Sequence, residues 1–64
     1  GVDVQATLEA AVAQVRGRVA RCLLPLDLKD ERRLVAFLLR RGHSLDDART
    51  AIARAVEEVT PEAV

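Results

Sequence analysis

The chain carries one aromatic residue, Phe37, and no tyrosine, tryptophan or methionine in 64 residues. A platform of stacking aromatics for unpaired bases is therefore excluded. One cysteine, Cys22, allows neither an intrachain disulfide nor a thiolate metal cluster. A reducing, cytoplasmic setting is the expectation. The longest unbroken apolar run, Leu34 to Leu39, is far too short to span a bilayer. No alternating β-branched run and no Asn-Gly pair is present, so strands and hairpins are not expected. The start, Gly1-Val2-Asp3, lacks the basic and apolar segments of a signal peptide. With no methionine anywhere, it points to a fragment of a longer protein.

Ala, Leu, Arg and Glu dominate what remains, and all are good helix formers. Ten basic and ten acidic side chains cancel overall but not locally. Residues 16–41 carry a net charge of +5, residues 42–64 carry −3 and residues 1–15 carry −2. A basic middle thus lies between acidic ends.

The periodicity predicts an all-α unit of three helices. The first runs from Val4 to about Leu23, with Asp3 as its N-cap. Val4, Leu8, Ala11, Val12, Val15, Val19, Cys22 and Leu23 form its apolar stripe. Cys22 is accordingly read as a small core residue. Pro25 closes this segment. Asp27 is the expected N-cap of a second helix, Leu28 to Arg41, and Gly42 its left-handed stop. Ser44 caps a third helix that ends near Val59, before Thr60-Pro61, with residues 60–64 as a frayed tail. The expected core is Leu8, Val12, Val15, Val19, Leu34, Phe37, Leu38, Leu45, Ile52, Ala55 and Val59.

The stretch FLLRRGHSLDD, residues 37–47, reads first as helix punctuation. Arginines suit a helix C-terminus, glycine turns the chain, and a serine with two aspartates starts the next helix. Punctuation leaves two features unexplained. Projected at about 100° per residue, Lys29, Arg33, Ala36 and Arg40 share a stripe, with Arg32 beside it. Apolar residues cover most of the remaining circumference, more than one core can bury. The first helix also carries a row of small residues, Ala6, Ala10, Ala13, Gly17 and Ala20, opposite its apolar stripe. Both features point to a unit that packs against neighbours, either repeats or copies of itself. Lys29, Arg32, Arg33 and Arg40 are the candidate residues for binding an acidic protein surface or phosphate.

Catalytic and cofactor chemistry is not expected. His43 stands alone in a turn, and no glycine-rich phosphate loop, zinc spacing or serine–histidine constellation is present. A helix-turn-helix DNA reader fits the outline of three short helices. Its reading helix, however, would open on Asp46 and Asp47 and display Glu57 and Glu58.

From Glu31 to Ala55 the sequence resembles the RecX family of regulatory proteins. Arg33-Leu34, Phe37-Leu38, Arg40-Arg41-Gly42, Ser44, Asp46 and Ile52 match the family's basic-apolar helix and the acidic-capped helix after it. His43 occupies a position that is usually Phe or Tyr in the family. The resemblance covers about residues 6–56 and implies one three-helix repeat, the C-terminal one. It implies a regulator of recombination, DNA repair and the SOS response. Such a regulator binds the RecA filament on single-stranded DNA and inhibits it, as part of an elongated helical array.

Overall fold

Capping chemistry at two short turns sets where the helices begin and stop. The computed structural model describes the backbone of residues 4–60 and side chains from Leu8 onward. The Asp3 cap, the side chains of Val4 and Ala6, and the tail at 61–64 lie outside the described residues. Three helices, α1 (Val4–Ala20), α2 (Leu28–Arg40) and α3 (Leu45–Val59), form an all-α unit, with no strand among the described residues.

Asp27 caps α2 from an extended conformation, its carboxylate accepting the Asp30 N–H at 2.8 Å. Ser44 caps α3 in the same way, its Oγ accepting the Asp47 N–H at 3.1 Å. At the end of α2, Gly42 adopts φ +94°. Its N–H donates to the Leu39 carbonyl and the His43 N–H to the Leu38 carbonyl. This is the Schellman arrangement, and it satisfies the helix-end carbonyls with backbone donors.

The first helix is shorter than its sequence pattern suggests, ending at Ala20 rather than Leu23. The Arg21 N–H turns back to the Arg18 carbonyl and the Cys22 N–H to the Val19 carbonyl. These three-residue bonds tighten the last turn and stop the helix. Cys22 and Leu23 thereby leave the apolar stripe. Cys22 is half-buried, and Leu23 is 89% exposed. The Leu24–Pro25 peptide bond that follows is cis.

The fully enclosed core is small-sided. It consists of Ala11, Val12, Val15 and Val19 from α1, Leu34 and Leu38 from α2, and Ala48, Ala51, Ile52 and Ala55 from α3. The pairing of α1 with α3 is the most extensive of the three, and four of the enclosed side chains on these two helices are alanine. Small side chains let two helix axes approach closely. α2 leans mainly on α3 and touches α1 least.

One expected core position is corrected. Leu45 is 49% exposed, and Ala51 takes its place. The two positions lie about 120° apart around α3, and the buried arc of Ala48, Ala51, Ile52 and Ala55 extends to the Ala51 side, so Leu45 falls beyond its edge. Phe37, Leu8 and Val59 contribute as expected, each half-buried and packed against the enclosed core. The described chain measures 41 × 26 × 16 Å.

Candidate functional site

The four candidate cations of α2, Lys29, Arg32, Arg33 and Arg40, are all exposed. They crown the side of α2 opposite Leu34 and Leu38, which face the core. The fold does not keep them as one patch. Arg32 leans toward α3 and Arg33 toward α1, so the crest divides two surfaces of different character.

On the α3 side lies an apolar groove of about 400 Å³. Leu28, Val35, Ala36, Leu39 and Leu45 line it, with Glu31, Arg32 and Arg49 at the rim. Leu28 is 62% exposed and Leu39 45%. A neighbouring groove continues past Glu31 and Arg49 to Leu26, Ile52, Ala53 and Val56. The excess apolar surface read from α2 is therefore real and solvated, and it gathers against the start of α3. Leu45, misplaced in the expected core, belongs to this groove.

On the α1 side, the end of α1 and the start of α2 form a cleft of about 220 Å³. Arg18, Arg21, Cys22, Asp30, Arg33 and Leu34 line it. The Phe37 ring lies beside Arg18, whose guanidinium carbon is 4.0 Å from the ring centroid. Arg41 reaches the same ring at 5.0 Å. Such contacts contribute about 0.5–1 kcal/mol each when exposed. Sequence reading missed Arg18 and Arg21 and gave Arg41 only to the helix end. Arg18 stands in the last turn of α1 and Arg21 just past its end, and only the pairing of α1 with α2 brings them to Arg33.

His43, at the turn, reaches back to α1, where its Nε2 is 3.1 Å from Gln14 Oε1. Its Nδ1 is buried without a hydrogen-bond partner. The contact ties the turn to α1. The small-residue row of α1 stays open: Ala10, Ala13, Gly17 and Ala20 are exposed, and a Cβ on Gly17 would meet nothing within 4 Å. Arg16 pairs with Glu58 at 2.6 Å across α1 and α3. Among the described residues, no three His, Cys, Asp or Glu side chains gather as a metal site. No described helix is long and apolar enough to cross a membrane.

No family model, curated protein or solved structure matches the chain.

Proposed function

We propose that the chain is a RecX-type interaction module that docks on the RecA–single-stranded DNA filament and lowers its recombinase activity. The observation that carries the docking part is the solvated groove of Leu28, Val35, Leu39 and Leu45, flanked by the exposed cations of α2. An apolar patch rimmed by charge marks a surface built for a protein partner. Leucines left this exposed gain about 25 cal/mol for each Å² that a partner removes from water. The choice of RecA rests on the resemblance at Arg33-Leu34, Phe37-Leu38, Arg40-Arg41-Gly42 and Ser44.

The helix-turn-helix alternative has less support. Asp46, Glu57 and Glu58 are exposed on α3, the helix that would enter the groove of a duplex, and they repel phosphates. The test is inhibition of RecA strand exchange by the parent chain and by Leu39→Glu. Leu39 lies outside the core, so the variant should fold with unchanged helix content. It should inhibit at least tenfold more weakly, since a carboxylate in an apolar interface costs several kcal/mol. Equal inhibition by both proteins, or none by the parent, would reject the reading.

A further inference from the structure

The cleft between α1 and α2 holds more positive charge than the fold requires. Three guanidinium groups, from Arg18, Arg21 and Arg33, line it against one carboxylate, Asp30. A fourth, from Arg41, gathers at the ring that also carries Arg18. The ion pair among the described residues is Arg16–Glu58, which lines a different depression together with Glu9 and Arg54. Nor are these arginines needed to finish the helix ends. The Arg18 carbonyl accepts the Arg21 N–H and the Cys22 thiol, and the Leu38 and Leu39 carbonyls accept from Arg41, Gly42 and His43. Like charges gathered in one cleft repel one another, and an anion relieves that repulsion.

We propose that this cleft binds a phosphate of a nucleic-acid backbone. The Arg18 guanidinium lies over the Phe37 ring, and a guanidinium's N–H fork matches two phosphate oxygens at once. Arg18 and Arg33 supply the forks from the two walls, Arg21 closes the cleft past the end of α1, and Arg41 adds charge at the same ring. The cleft is open, and the crest beside it continues with Lys29 and Arg40, both exposed. A chain of phosphates can therefore leave the cleft along α2, which a single enclosed anion would not use. Phosphate contacts of this kind carry no base sequence. The site stands apart from the leucine groove, on the other side of the crest, and its test involves no RecA, so the two readings fail separately.

The experiment measures binding of a labelled oligothymidine to the whole chain by fluorescence anisotropy across a salt series. Cys22, free and half-buried in the same cleft, serves as a reporter through its rate of alkylation. The parent should bind with affinity that falls with salt. Arg18→Gln with Arg33→Gln should lower the log–log salt slope by about 1.4, since each single-strand phosphate contact contributes about 0.7. Arg16→Gln with Arg54→Gln removes the same charge elsewhere and should leave that slope within about 0.3 of the parent value. Oligothymidine should slow Cys22 alkylation severalfold, while inorganic phosphate at the same phosphate concentration should not. Circular dichroism on each variant separates lost contacts from lost fold, and Arg21→Gln provides a single, milder change. The proposal is overturned if both double variants behave alike, or if alkylation is unchanged by the oligonucleotide. It is equally overturned if inorganic phosphate or a polyglutamate peptide of equal charge protects Cys22 as well as the oligonucleotide does.

Discussion

Leu38 and Phe37 are adjacent on α2 and do different work. Leu38 is fully buried and is the largest such side chain, whereas Phe37 is half-buried at the margin between the core and the arginine cleft. Truncating Leu38 leaves a cavity that a core of valines and alanines cannot refill, at a cost of about 2–5 kcal/mol. Truncating Phe37 loses partial burial and two cation–π contacts, about 2 kcal/mol. Urea denaturation of the two alanine variants should therefore show Leu38→Ala as the more destabilised. Phe37→Ala unfolding first would place the ring inside the core after all. In a domain this small, with total stability of a few kcal/mol, Leu38→Ala should be largely unfolded at about 37 °C.

At the scale of the element, the helices and their ends answer to different glycines. Gly17 lies in the exposed interior of α1, where an added Cβ would have nothing within 4 Å. Gly17→Ala should raise the stability of the isolated chain by about 0.5–1 kcal/mol through helix propensity. Gly42 sits at φ +94°, and Gly42→Ala should lower stability by about 1–2 kcal/mol because a Cβ is strained there. Thermal melts of the two variants should move in opposite directions. A fall in melting temperature for Gly17→Ala would show that the open row of small residues on α1 is covered by a close contact. The caps themselves were legible from residue type alone. Asp27, Ser44 and Gly42 act within three or four residues, so their effect is local and needs no knowledge of the fold.

The whole molecule is a slab whose α2 faces solvent on both flanks. One flank is the leucine groove, the other the arginine cleft. Among the described residues the enclosed core is ten side chains, four of them alanine. A partner on the groove adds to the chain's stability by mass action. In the isolated chain a second copy is the available partner, so the urea midpoint should rise with protein concentration. Leu39→Glu should abolish that rise. A midpoint independent of concentration from micromolar to millimolar, with a monomer by sedimentation, would show that the groove stays solvated without its intended partner.

Helix number, helix type, both caps and the turn at Gly42 follow from the sequence by itself, because periodicity and capping are short-range effects. So does the surplus of apolar surface on α2, since more of its circumference is apolar than one neighbour can cover. Which of those apolar residues are enclosed was decided by tertiary packing. On α3 the packing encloses Ala48, Ala51, Ile52 and Ala55, which hides Ala51 and leaves Leu45 in the groove. The same packing divides the cations of α2. It carries Arg33 to Arg18 and Arg21, residues twelve or more positions away in the chain, and turns Arg32 toward leucine. No pattern along one helix contains that division, because it depends on where the neighbouring helix ends.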